Sequence, residues 1–384
     1  MRSRVIISNV KPSTCGEDFY FKRTPGEQVQ VSADIFADGE ETIQASLLFK
    51  HQSEKKWQEA PMQQLGDDAW TGSFTVEKKG FYQYRIEGWV EGQKQFAAIS
   101  KETWQVRVGR KQEIFSTWYE MFPRSASPVP GRHGTLQDVE NLLPRLAEMG
   151  FDVLLFPPIF PVGKTGRKGK DNSSTTLPDD VGAPWAVGSE EGGHTTIHAS
   201  LGTMADFERL MKTASVKGIE IALDLALRCS PDHPYVKEHP EWFHRSPDGK
   251  VIIEEQPPIS YGDSVNFDIC CDDWENLWQE LKNNLLFWAE KGVRIFYGSA
   301  PHYKPFSFLK WLISEVQKEY PDVIFVSGAI TRTKVAEELA KCGFAQSFTH
   351  FMWKNTADEL RQHLLDLSTG ISREILRPNF FTNT

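Results

Sequence analysis

The sequence predicts a multidomain β plus α/β protein, with an N-terminal immunoglobulin-like β-sandwich over residues 1–105 and an incomplete (β/α)8 TIM barrel over residues 112–384. Three observations carry this expectation. The first hundred residues alternate apolar and polar side chains with period two. From about residue 115, short apolar runs alternate with stretches of helical periodicity. Glycines punctuate the ends of those helical stretches.

In the first region, 27–36, 44–49, 70–76 and 80–89 read as strands. The turn residues Ala37-Asp38-Gly39 and Gly66-Asp67-Asp68 separate them. In the second region, 115–122 is a first strand and 136–149 an amphipathic helix stopped by Gly150. A buried strand over 152–158, a helix over 207–215 and a strand over 219–225 follow. The next helix, 274–291, starts at Asp272-Asp273, a cap and dipole partner, and has Gly292 after it. Apolar runs from 293 and over 323–329 read as buried parallel strands, with a helix over 306–319 between them. A strand over 345–351, a helix over 357–367 and a strand over 375–381 complete the pattern. This gives about seven strands, one short of a closed eight-stranded barrel.

At 384 residues the chain is long enough for two or three domains. Apolar content of 40% and charged content of 25% are ordinary for a soluble globular protein. A net charge of −9 argues against a nucleic acid or an anionic membrane as partner. Twelve Trp and nine Tyr serve either as core or as flat faces that stack on sugar rings. Five cysteines, an odd count without C-x-x-C spacing, suggest neither a disulfide framework nor a zinc site, and no metal or cofactor is expected. Reduced thiols, the lack of a leader-like N-terminus and the lack of any run near the ~18 apolar residues of a membrane span lead to a cytoplasmic expectation. The stretch 161–194 is a long loop with a basic cluster, Lys164, Arg167, Lys168 and Lys170, which is either solvated or an anion contact.

Several strings are more specific. They include Trp118-Tyr119-Glu120-Met121-Phe122-Pro123-Arg124-Ser125, Lys168-Gly169-Lys170-Asp171-Asn172, Ala183-Pro184-Trp185-Ala186-Val187-Gly188-Ser189 and Glu191-Gly192-Gly193-His194. Further along are Cys229-Ser230-Pro231-Asp232-His233-Pro234, His239-Pro240-Glu241-Trp242-Phe243 and Arg377-Pro378-Asn379-Phe380-Phe381-Thr382-Asn383-Thr384. Together they resemble the bacterial maltosyltransferases that extend α-1,4-glucans from maltose 1-phosphate, within the α-amylase-like glycoside hydrolase family 13. The resemblance covers nearly the whole chain. It implies a retaining double displacement, with an aspartate nucleophile after the fourth barrel strand, a glutamate acid/base after the fifth and a third carboxylate after the seventh.

The departures from that pattern are concentrated at the strand ends. The family's Arg-x-Asp-Asn-Pro-His is Tyr297-Gly298-Ser299-Ala300-Pro301-His302, so the nucleophile position is Ser299. The acid/base position is Gly328, in Ser327-Gly328-Ala329-Ile330. The family's Pro-Pro-Lys-Lys-Tyr is Pro257-Pro258-Ile259-Ser260-Tyr261. A helical insert near 93–113, the last barrel strand and a C-terminal β domain are expected to be missing. Ser299 has no evident activating base or orienting acid. Other carboxylates that could take over are Asp224, Asp263, Asp268, Asp272 and Asp273; Asp224 also reads as an orphaned structural acid and Asp272-Asp273 as a helix cap. The resemblance leaves a set of substrate-binding candidates, Lys168, Trp185, Ser189, His194, Asp232, His233, Tyr261, His302 and Lys304. Trp185, His194, Asp232 and His233 read equally well as core or loop-capping groups. The expectation is therefore a catalytically impaired relative that binds an α-glucan or maltooligosaccharide, or acts as a regulator, with a protein partner completing the barrel as one possibility. An active enzyme with relocated groups and a fragment without function are the alternatives.

Overall fold

The computed structural model describes residues 3–15, 17–256 and 259–379, without the side chains of residues 254–256, 259–260 and 379. Pro257, Pro258 and the closing residues 380–384 of the sequence strings lie outside the described residues. The chain packs as two units. The first runs from the N-terminus to Phe115 and takes in Ala336–Lys341 and the segment from Thr349 on; the second is Ser116–Val335 with Cys342–Phe348.

The first unit contains strands β1 (Val5–Lys11), β2 (Phe21–Arg23), β3 (Gln28–Ala37), β4 (Ile43–His51), β5 (Gln58–Pro61), β6 (Gln63–Gly66), β7 (Ala69–Thr75), β8 (Gly80–Val90), β9 (Ala98–Ile99) and β10 (Trp104–Val108). They form two sheets, ordered β1-β3-β7-β6 and β2-β10-β8-β4-β5, with β9 paired to β8. Alternation in β3 buries Val29, Val31, Ala33 and Ile35, and alternation in β8 buries Tyr82, Tyr84 and Ile86. These two faces share one core, with Trp104 stacked on Tyr84 at 5.4 Å. Each fully buried Val, Leu, Ile or Phe in it contributes about 1.5–3 kcal/mol.

The second unit begins with β11 (Trp118–Glu120), α1 (Leu136–Glu148), β12 (Val153–Phe156), α2 (Met204–Val216) and β13 (Glu220–Asp224). Helices α1 and α2 start alike, with Thr135 and Thr203 in reciprocal caps with Asp138 and Asp206. A long excursion follows, with β14 (Arg228–Cys229), α3 (Pro234–Glu238) and the hairpin β15 (Ile253–Gln256) and β16 (Ile259–Asn266). The alternating pattern then resumes through α4 (Trp274–Glu290), β17 (Ile295–Gly298), α5 (Phe306–Glu319), β18 (Ile324–Ser327), α6 (Thr333–Cys342) and β19 (Gln346–Phe348). All six strands pair in parallel in the order β11-β12-β13-β17-β18-β19, an incomplete TIM barrel. Val153, Leu155, Ala222, Ile295, Ile324 and Val326 face its interior with Trp118 and Tyr297. Leu154, Ile221, Phe296 and Phe325 take the opposite phase and are as deeply buried, as both faces of a parallel sheet should be.

Two expectations are corrected here, and the helix Thr333–Cys342 is not among the expected elements. Of the stretch expected as a strand over 375–381, Pro378–Asn379 is strand among the described residues, but its first residue ends a helix instead: α7 (Ala357–Ser368) is followed by α8 (Gly370–Ile375). Ile375 is fully buried in the core of the first unit, and Pro378 disfavours helical backbone at the residue before it. Asp273 occupies the N-cap of α4 without capping a backbone N–H. Its carboxylate accepts from the Trp242 indole at 2.9 Å and from the Asn276 amide at 2.7 Å.

The first unit contains a buried ion pair, Arg107 to Glu113 at 2.6 Å, both side chains about nine-tenths buried. Replacing Glu113 by Ala leaves the guanidinium buried without its carboxylate. E113A should lower unfolding stability by about 3–5 kcal/mol in chemical denaturation. A loss below about 1 kcal/mol would show that Arg107 finds water or another acceptor.

Candidate functional site

The interior phase of the barrel strands decides which side chains meet at the strand ends. Residues two apart share a face, so the phase of Trp118, Ala222, Ile295 and Val326 carries forward to Glu120, Asp224, Tyr297 and Gly328. Asp224 lies beside Tyr297 in the β13–β17 register, and Tyr297 beside Val326 in β17–β18. Glu120 and Tyr297 are members of this constellation that the sequence strings do not single out. The alternation of β11 could have found Glu120.

Asp224 is 5% exposed. Its Oδ2 accepts from the Trp185 indole N–H at 3.1 Å and its Oδ1 from the Ala226 N–H at 2.8 Å, and the Ser299 hydroxyl also bonds to it. Ala226 holds φ 41°, rare for a residue with a Cβ. Burial raises the Asp224 pKa above the usual carboxylate range, against the pull of these donors and of the Arg228 charge. Glu120, on the end strand of this sheet, is solvent-exposed, and its pKa is raised first by partial desolvation and then by the Asp224 charge. Burial, then the charges of Asp224 and Glu120, push the Tyr297 phenol well up, so it stays neutral.

A Cβ at position 328 would lie 2.1 Å from the Tyr297 hydroxyl oxygen and 2.4 Å from the ring carbon bearing it. The ring fills the space a side chain there would need. The cavity beside Ser299 and Gly298 has a volume of only about 40 Å³. That holds a few waters and no pyranose ring. Lys304 lines it, with its Nζ donating to Asn266 Oδ1 at 2.8 Å.

A larger cleft of about 510 Å³ lies against the 168–172 and 179–185 loop segments, between Phe122, Arg124, Lys168, Asn172 and Trp185. Its size is in the range of small-ligand sites. Trp185 is half-buried, and its indole N–H is already committed to Asp224. Lys168 packs its ammonium close to Gly262, and a Cβ at Gly166 would strike the Gly262 carbonyl oxygen at 2.1 Å, so this loop lies tightly on the hairpin β15–β16. Arg228 stands over the Tyr261 ring at 4.6 Å.

The remaining sequence candidates hold loops together. The Tyr235 N–H donates to His233 Nδ1 at 3.1 Å; His233 Nε2 meets His194 Nδ1 at 3.1 Å; His194 Nε2 meets the carbonyls of Ala226 at 3.0 Å and Arg228 at 3.2 Å. Only one proton assignment satisfies the chain: both imidazoles are neutral and protonated at Nε2. Burial lowers their pKa values to about 4 for His194 and about 2 for His233. Asp232 accepts from the N–H groups of Lys164 at 2.6 Å and Thr165 at 2.7 Å, and from the Thr165 hydroxyl at 2.6 Å. These bonds outweigh desolvation and lower its pKa. Ser189 is buried in a tight turn with Gly192, its hydroxyl accepting from the Glu191 N–H. His302 is half-buried, and its Nδ1 has no hydrogen-bond partner among the described residues. Of the other carboxylates, Asp268 pairs with His244 at 3.2 Å, Asp263 is buried in β16 and Asp272 is exposed.

The neutral histidine pair makes stability pH-dependent. Below pH 6.5 the unfolded chain takes up protons that the folded histidines refuse. Folding stability should therefore fall as pH drops from 6.5 toward 4, by up to roughly 1.4 kcal/mol per pH unit for each histidine. In H233N the slope of unfolding free energy against pH should be shallower by about one proton. An unchanged slope would mean that His233 is not kept neutral.

The family model for domain N/S of alpha-1,4-glucan:maltose-1-phosphate maltosyltransferase matches residues 3–124. The alpha-1,4-glucan:maltose-1-phosphate maltosyltransferase of Methylacidiphilum infernorum is 40% identical over all of the chain, which spans 69% of that protein. That of Chlorobaculum tepidum is 39% identical, with the chain again fully covered and spanning 68% of its length. Among solved structures, a maltogenic amylase from S. marinus aligns with 98% of the chain at a TM-score of 0.55 and 14% identity. An alpha-amylase from Lactobacillus plantarum aligns with 67% at 0.53 and 24% identity. The chain spans 60% of each of these two structures, and the likeness to them concerns the fold alone. Sequence identity on this scale, along the whole chain and over more than two thirds of the relatives' own length, places the chain in the alpha-1,4-glucan:maltose-1-phosphate maltosyltransferase family.

Proposed function

We propose that this chain is a non-catalytic member of its family that binds maltooligosaccharide or α-glucan through the cleft beside Trp185. The observation that carries this reading is the contrast between two spaces. The cavity beside Ser299 is only about 40 Å³ and the Tyr297 ring occupies the place of a side chain at Gly328, while the outer cleft keeps about 510 Å³ with an aromatic wall and cationic and amide groups. Retaining glycoside chemistry needs an ionised nucleophile and a proton donor. Ser299 has its hydroxyl on Asp224 and lacks the activated setting a serine nucleophile requires. Saccharide recognition needs only faces and hydrogen-bonding groups.

In this reading Lys168 and Trp185 touch the sugar. Ser189, His194, Asp232 and His233 hold the loops that carry them, Lys304 lines the inner cavity, and Tyr261 and His302 pack on Arg228 and Tyr303, which line it. The role extends to glucan metabolism as a binding or regulatory subunit, with a second polypeptide completing the barrel as a variant of it. The sandwich is read as immunoglobulin-like, with sequence domains at 1–105 and 112–384. A cytoplasmic location is favoured by the five cysteines, all of them free thiols. No described helix is long and apolar enough to cross a membrane.

A second reading has one observation in its favour: Glu120 and Asp224 are two carboxylates on one interior face, both with raised pKa values. Phosphate release from maltose 1-phosphate, abolished by E120Q or D224N, would establish that reading and overturn the first. Calorimetric titration with maltohexaose tests the binding proposal. Saturable heat is expected, weakened at least tenfold by W185A, about 1.4 kcal/mol of binding free energy. No heat at millimolar sugar would sink it.

A further inference from the structure

We infer that Tyr297 and Gly328 are an interlocked pair: the phenol on β17, and not the backbone at 328, is what requires glycine there. Glycine is obligatory where the backbone turns left-handed. Gly328 is outside that region, for its φ is not among the positive values of the described glycines. Its N–H donates to the Gly298 carbonyl at 2.8 Å, continuing the parallel ladder of β17 and β18. A residue with a side chain fits that backbone. What excludes it is the approach of three Tyr297 ring and hydroxyl atoms to within 2.1–2.8 Å of a Cβ position.

The ring cannot easily give way. It packs on the interior cluster of Val153, Leu155, Ala222, Ile295 and Val326, and lies 5.6 Å from the Phe348 ring. Asp224 is beside it in the register of β13 and β17. A rotation would drive it into packed side chains or toward a buried carboxylate. The neighbouring glycine provides the contrast. A Cβ at Gly298 would meet only Pro301 atoms at 3.4–3.6 Å, an ordinary contact.

Tyr297 is thus a positioning residue for an enclosed strand-end centre. Any side chain at 328 clashes with the phenol where it stands, so a carboxylate there is accommodated without strain only when Tyr297 is replaced as well. This concerns the same strand ends as the glucan reading, but its test uses no sugar, so the two can fail separately.

The test is a thermal-unfolding cycle on the full chain with G328A, Y297A, the double variant and G298A as control. G328A alone should lower Tm by roughly 5 °C, the scale of overpacking in a well-filled core, and G298A by much less. In the Y297A background, G328A should cost nothing further. Equal losses from G328A with and without Tyr297, or no loss from G328A at all, would overturn the interlock. If G328A does not fold, the double variant decides. Folding like Y297A supports the interlock, and failing to fold refutes it.

Discussion

The constraint on which the rest depends is the shared interior of a curled parallel sheet. Side chains of one phase from neighbouring strands converge at the strand ends, and the volume there is common property. Glu120, Asp224, Tyr297 and Gly328 draw on it together. A bulky ring from one strand therefore dictates a small residue on the next. Charge obeys the same constraint. The resemblance implies an arginine where Tyr297 stands, so Asp224 is left without the cation its position anticipates. Burying a carboxylate is costly unless hydrogen bonds or charges compensate. Trp185, Ala226 and Ser299 supply three donors, and the residual desolvation emerges as a raised pKa rather than as a broken fold.

This compensation links the closed centre to the open cleft. The indole that lines the cleft has its N–H on Asp224, so the carboxylate fixes the orientation of an aromatic wall. Ala226 extends the link, its N–H turned to Asp224 and its carbonyl to His194. From there the histidine pair reaches the start of α3, where Gly188 and Gly193 lie so close to the His233 ring that no Cβ fits at either. Asp232 ties in the 163–165 segment. The loop scaffold thus rests on a neutral hydrogen-bonded relay that makes no use of a charged nucleophile or acid. Loss of the strand-end carboxylates leaves it intact.

These relations were unevenly legible in the sequence. Strands such as β3 and β8 and helices such as α1 and α5 follow from period two and period 3.6, because each presents one face to a core. Helix α6 carries the same spacing in Ala336, Leu339 and Ala340, all buried. The short apolar run at 375 is ambiguous by periodicity alone, and packing decided it. The hairpin of β15 and β16 owes its existence to pairing that no local pattern reports. At the site, the residue strings pointed to Trp185, His194, Asp232 and His233 but not to how the last three are used, since capping and binding draw on the same residue types. The exclusion between Tyr297 and Gly328 is a distance between strands, invisible without the register.

What survives at the strand ends also bears on what the chain can do. A proton donor must be protonated at working pH and free to reach a leaving oxygen. Burial raises the Asp224 pKa, but its two oxygens are held by indole, backbone and hydroxyl donors. Glu120 is free to reach outward, yet its exposure gives water ready access to it. Tyr297 is a neutral phenol whose ionisation is opposed by burial and by both carboxylates. The outer cleft carries no such requirement. Its indole face, lysines and amide act through contacts that the strand-end centre does not disturb, and this is the ground of the proposal that the chain recognises a glucan rather than cleaving one.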